Sequence, residues 1–67
     1  GWQERRAMIL RHARDLCEYK GEKIAIPEMR KHIAWYTAGI PHSAKLRGSM
    51  NEINTMEDLL ALLPEEI

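Results

Sequence analysis

The 67-residue chain has no phenylalanine and no valine, and aromatic residues make up only 6% of it. Its apolar positions are filled by Leu, Ile, Ala and Met, set among Glu, Lys and Arg. That vocabulary favours helix, because these side chains lose little rotamer freedom there, and β-branched residues are scarce. Cys17 is the single cysteine, which excludes an internal disulfide and agrees with a reducing cytosol. No apolar run exceeds five residues, so neither a membrane-spanning segment nor a secretory signal is expected. No base follows Arg47.

That last absence sets the charge pattern. The chain is formally neutral, which taken alone argues against a nucleic-acid partner. Residues 1–47, however, carry all ten Lys and Arg against five acids, a net +5, and residues 48–67 carry five acids and no base, a net −5. Two readings follow. A polar molecule presents a basic side to an anionic partner, or unlike ends attract one another inside a bundle.

Four helices account for the hydrophobic pattern. At about 100° per residue, Trp2, Ile9, Ala13 and Leu16 share one side of a helix over residues 3–20, with Leu10 and Cys17 flanking them. Arg11–Asp15 and Arg14–Glu18 are spaced for ion pairs on its far side, and Gly21 ends it. Ile24 and Ile26, two apart, read as an extended link pinned to the core. Pro27 then opens a second helix over residues 27–38, where a missing N–H is harmless; a start one turn earlier stays open. Met29, Ile33 and Tyr36 form its core stripe. Gly39 supplies the positive φ that a helix end wants, Ile40 folds back, and Pro41 prevents continuation. Ser43 caps a third helix with Leu46, Met50 and Ile53 as its stripe, weakened by Gly48. Thr55 and Asp58 make a capping box for a fourth helix over residues 56–63, rich in leucine and stopped by Pro64. Glu65-Glu66-Ile67 reads as a tail. The expected fold is all-α, a compact bundle of four short helices forming one domain over residues 1–67.

Little here resembles catalysis. His12, His32, His42 and Cys17 lack the close spacing of a metal site, so no metal is expected. A Cys–His nucleophile pair needs a pocket that so small a bundle does not offer. The concentrated chemistry is at residues 30–47. Arg30, Lys31, His32, Trp35 and Tyr36 precede the glycine turn, and Lys45 and Arg47 follow it. Arg30, Lys31, His32, Trp35, Lys45 and Arg47 are the candidate RNA contacts, with Lys23, Arg5 and Arg6 outlying. Guanidinium and ammonium groups on a rigid turn suit phosphates, and folded RNA is recognised largely by shape and backbone. The plain alternative is that these cations merely keep helix surfaces wet. Trp35 reads first as a packing anchor in the core or at an interface, and second as a platform for an unpaired base. Tyr36 belongs to the core, with its hydroxyl reaching a polar partner. His32 reads as a hydrogen-bonded structural histidine, then as a phosphate contact. A helix-turn-helix on DNA and a pure protein-docking module are the rival classes.

Arg30-Lys31-His32, Trp35-Tyr36, Gly39, Pro41 and Leu46-Arg47, in that order, resemble the C-terminal helical domain of bacterial tRNA-dihydrouridine synthases. Helices 1 and 4 suit the same layout. The resemblance implies a parent enzyme that reduces tRNA uridines with FMN and NADPH, the FMN bound in a TIM barrel. It implies a helical domain that grips tRNA beside that barrel. Eight βα units need about 250 residues, so the barrel, its FMN and its catalytic cysteine lie outside this chain. Cys17 does not inherit that cysteine's role. The implied partners are tRNA and the barrel of the same protein, with no membrane.

Overall fold

A computed structural model describes residues 1–41 and 43–66; His42 and Ile67, with the expectations placed on them, lie outside the described residues. The chain is all-α. Helix α1 spans Trp2–Lys20, α2 Glu22–Thr37, α3 Ala44–Ser49, continued by one 3₁₀ turn at Met50–Glu52, and α4 Met56–Leu62. The radius of gyration is 10.9 Å, matching about 11 Å for a folded chain of this length.

Helices α1 and α2 form an antiparallel hairpin joined by Gly21 alone. Its φ of 85° and ψ of 150° lie in a region essentially reserved for glycine. There the Gly21 N–H reaches the Cys17 carbonyl at 2.8 Å, while its own carbonyl accepts from Ala25 N–H at 2.9 Å. One residue therefore ends α1 and starts α2. The only ion pair within 4 Å among the described residues, Lys20 to Glu28 at 3.0 Å, bridges the two helices beside that joint. Arg11–Asp15 and Arg14–Glu18 form no such pair. All four are exposed, where the entropy of fixing two long chains offsets a few tenths of a kcal/mol.

The expected extended link is helix instead. Residues 22–26 belong to α2, with Pro27 inside it. Ala25, Ile26, Met29 and Ile33 are fully buried, whereas Ile24 is 57% exposed. A strand would have put Ile24 and Ile26 on one face; helical geometry turns them about 200° apart. Pro27 and Lys23 are both exposed, so the carbonyl that Pro27 leaves without a donor faces water. Burying Ile26, at about 1.5–3 kcal/mol, then offsets much of the roughly 3 kcal/mol that proline costs inside a helix.

One cluster joins the four helices: Trp2, Ile9 and Ala13 from α1, Ile26, Met29 and Ile33 from α2, then Leu46, Met50, Ile53, Leu59 and Leu63. The Leu46–Met50–Ile53 stripe is buried as the spacing predicts, although the helix tightens to 3₁₀ at Met50 and Ile53 is extended. In α4 the Thr55–Asp58 box forms in both directions. The Glu22 carboxylate adds a bond from Met56 N–H at 2.8 Å, tying the start of α2 to the start of α4. Trp2 closes the other end by donating its indole N–H to the Pro64 carbonyl at 2.9 Å.

Candidate nucleic-acid interface

The C-terminal end of α2 is finished by residues of α1 and α3. After Thr37, Ala38 (φ −59°, ψ 128°) and Gly39 (φ 79°) turn the chain, and Ile40 N–H closes onto the Thr37 carbonyl at 3.1 Å. This is a type II turn, which requires positive φ at its third residue. Two arginines from other helices then cap α2. Arg5 of α1 donates to the Tyr36 carbonyl at 2.7 Å, and Arg47 of α3 donates to the Thr37 carbonyl at 3.3 Å. The Ser43 hydroxyl shares its one proton between the Ile40 carbonyl at 2.7 Å and the Thr37 carbonyl at 3.1 Å. Helix ends leave carbonyls without intrahelical donors and carry partial negative charge. Here α2 has no basic residue in its last turn, and the neighbouring helices supply the cations. Ser43 precedes α3 as expected but does not cap it with its side chain. Its hydroxyl serves α2 and accepts from Arg47 instead.

The six sequence candidates thus divide. Arg30 and Arg47 are half-buried and fixed. Arg30 donates to the Ile53 carbonyl at 2.7 Å and the Asn54 side chain at 3.3 Å, and its Nε is buried without a partner. These partners are neutral, so each guanidinium keeps its full charge. Lys31 and Lys45 are exposed and hold no hydrogen bond or ion pair among the described residues. Arg6 reaches only the Leu63 carbonyl, at 3.4 Å, and Lys23 is exposed. No ion pair within 4 Å crosses from the basic to the acidic part among the described residues, so internal attraction does not account for the charge split through direct pairing.

Trp35 is 77% exposed, which corrects the core reading: α2 turns it away from the stripe that Met29 and Ile33 bury. His32 is also placed differently from expectation. It makes no hydrogen bond among the described residues, and Tyr36 meets another histidine. The Tyr36 hydroxyl lies 3.1 Å from Nδ1 of His12, with the two rings edge-on at 6.0 Å. His32 packs on His12 at 4.5 Å between ring centres and meets Trp35 edge-on at 6.3 Å. Burial holds the His32 pKa below its ordinary value, helped by His12 and Lys31 and opposed by Glu28. Arg5, Met8 and His12 complete an open groove of about 610 Å³ with His32, Trp35 and Tyr36. Of the α1 members only Arg5 is an outlying candidate in the sequence; Met8 and His12 are not read there as part of this site, although spacings of three and four residues place all three on one helical face.

No group of three or more His, Cys, Asp or Glu among the described residues converges to hold a metal ion. Burial, and then Glu22, push the Cys17 thiol pKa up, away from a reactive thiolate. No described helix is long and apolar enough to cross a membrane.

The described residues thus form an all-α unit with two arginines on the C-terminal end of α2 and an open groove lined by aromatic side chains. Comparison with known proteins gives its family. The dihydrouridine synthase (Dus) family model matches residues 2–67. A probable tRNA-dihydrouridine synthase of Rickettsia conorii is 40% identical over 47 residues, covering 70% of this chain and 14% of that protein. One of Mycobacterium leprae is 36% identical over 56 residues, covering 84% and 15%. Probable tRNA-dihydrouridine synthase 1 of Synechocystis is 38% identical over 56 residues, covering 84% and 16%. No solved structure matches the chain significantly. The chain belongs to the dihydrouridine synthase family, and it spans about one-seventh of the length of those relatives.

Proposed function

We propose that this chain is the C-terminal, tRNA-gripping helical domain of a tRNA-dihydrouridine synthase. In this reading residues 1–67 are a piece of a larger enzyme. The tRNA is held while an FMN-bearing barrel elsewhere in the parent reduces uridine at the expense of NADPH. The observation that carries it is the set of unneutralised cations over residues 30–47: Arg30, Lys31, Lys45 and Arg47 have no carboxylate within 4 Å among the described residues. Arg30 and Arg47 are held in place by backbone carbonyls, so their charges are pre-positioned without being neutralised. Lys31 and Lys45 are the free, exposed partners. Pre-positioned charge meets a folded phosphate backbone at lower entropic cost than mobile side chains do.

A stretch of the barrel itself would alternate strands with helices, and the described residues contain helices only. The helix-turn-helix alternative has little support. Helix α3 has six residues, under two turns. The test is an NMR titration of the 67-residue chain with tRNA at low salt. Amides of residues 30–47 should shift, and log K should fall against log salt with a slope of about −2 to −4 for three or four phosphates. Binding that leaves those amides unmoved overturns the reading.

A further inference from the structure

The groove between α1 and α2 is separate from these backbone contacts and has chemistry of its own. Trp35 is 77% and Met8 49% exposed across it, so a large apolar surface stands in water. The polar groups around that surface are neutral or cationic, and no carboxylate lines it. Tyr36 occupies Nδ1 of His12, which leaves Nε2 for a ligand, and neither ring nitrogen of His32 has a partner among the described residues. A neutral imidazole offers one donor and one acceptor, the combination that the edge of a nucleobase also presents. The groove volume of about 610 Å³ falls within the roughly 300–1,000 Å³ usual for small-ligand sites. Its open side admits a flat ring still attached to a chain.

We propose that this groove takes one unpaired nucleobase of an RNA strand, stacked on Trp35 with its edge toward His12 and His32. The adjoining phosphate meets Lys31, one turn before Trp35 on the same helix face. The proposal rests on the RNA-binding reading above and assigns that RNA a base subsite. An apolar protein surface laid over the groove would bury the imidazole nitrogens and the remaining Arg5 donors without partners, which is costly. A base with its phosphate answers both the aromatic face and the polar groups.

The experiment compares a uridine hexamer, an abasic ribose-phosphate hexamer of equal charge, and tRNA. Each carries a fluorescein label and is titrated with the 67-residue chain at low salt; fluorescence anisotropy gives the affinity for every variant, and tryptophan quenching in the unsubstituted chain reports stacking. Trp2 is buried and hydrogen-bonded, so quenching reports Trp35. The uridine hexamer should quench and bind more tightly than the abasic one. W35A should weaken it about tenfold, W35F should retain most of the affinity, and both variants should bind the abasic hexamer as before. Equal affinity for the two hexamers overturns the base site while leaving phosphate binding intact. Failure of all three ligands to bind sinks the RNA reading itself. If Trp35 of the full-length parent is shielded from acrylamide without RNA, the groove is covered by the protein's own chain, and the proposal falls.

Discussion

Arg47 reaches back over the glycine turn to the Thr37 carbonyl at 3.3 Å, so a residue of α3 finishes α2. The same carbonyl takes Ile40 N–H and the Ser43 hydroxyl. Three residues, Ile40, Ser43 and Arg47, thereby converge on one atom. Charge-assisted bonds of this kind are worth about 1.5–3 kcal/mol. Arg47→Ala should therefore lower stability by about that much in urea titration, and Arg47→Lys should recover only part of it because an ammonium lacks the planar fork. A melting curve unchanged by Arg47→Ala would show that the bond adds nothing.

Gly21 offers a second test that involves no side chain. At φ 85° and ψ 150° any Cβ is strained even though the surrounding space is empty. Gly21→Ala should cost about 1–3 kcal/mol. Gly48, which lies in α3 without positive φ, should respond in the opposite direction: Gly48→Ala gains up to about 1 kcal/mol from helix propensity. Chemical denaturation of the two variants checks both signs.

Much of this fold was legible because its signals are local. Gly21, Gly39 and the Thr55–Asp58 box sit where backbone geometry needs them. The Leu46–Met50–Ile53 spacing predicts a buried face whether the last residue is helical or extended. Residues 22–26 were not legible, since two isoleucines two apart satisfy a strand and a helix equally over so short a window. Pro27 pulled the reading toward a helix start, and only the tertiary burial of Ala25 and Ile26 decides otherwise. The site divides in the same way. Spacing alone places Lys31 and Trp35 on an outward face. Whether Arg30 and Arg47 are free depends on carbonyls 23 and 10 residues away, and the groove needs His12 from a different helix.

Acid should loosen the molecule through His32. Its pKa in the folded chain lies below the unfolded value of about 6.5, burial being the main cause. The unfolded chain then binds more protons in the interval between the two pKa values. Stability is complete above about pH 6.5 and is lost as pH falls from there through the folded value. Denaturation between pH 7.5 and about 5.5 should show this decline, and His32→Gln should flatten it. An identical slope in the variant would assign the pH dependence to another group.

The two tryptophans should behave as opposites. Trp2 is 9% exposed and bonded to Pro64, so Trp2→Ala should cost about 3–5 kcal/mol and loosen the chain's last residues from α1. Trp35→Ala should change stability by no more than about 0.5 kcal/mol, as for other exposed positions. Thermal melts of both variants settle the comparison, and a large loss from Trp35→Ala would mean that the indole is buried in solution.

Separating charge that holds the fold from charge that holds RNA is the most searching test. Lys31 and Lys45 are exposed and unpaired among the described residues, so Lys31→Ala and Lys45→Ala should leave stability within about 0.5 kcal/mol. Each should reduce the salt slope of tRNA binding by about one unit, as expected for one lost phosphate contact. Arg30→Ala should instead cost about 1.5–3 kcal/mol, because it leaves the Ile53 carbonyl without its donor and frees the segment before α4. For the same reason its effect on tRNA binding must be read at a temperature where the variant is still folded. Arg30→Lys keeps the charge while breaking the fork geometry. If it binds tRNA normally but melts early, Arg30 acts on RNA through its charge and on the fold through its shape. Should the lysine variants melt early while binding tRNA with an unaltered salt slope, the cations of this turn are structural and the grip on RNA lies elsewhere.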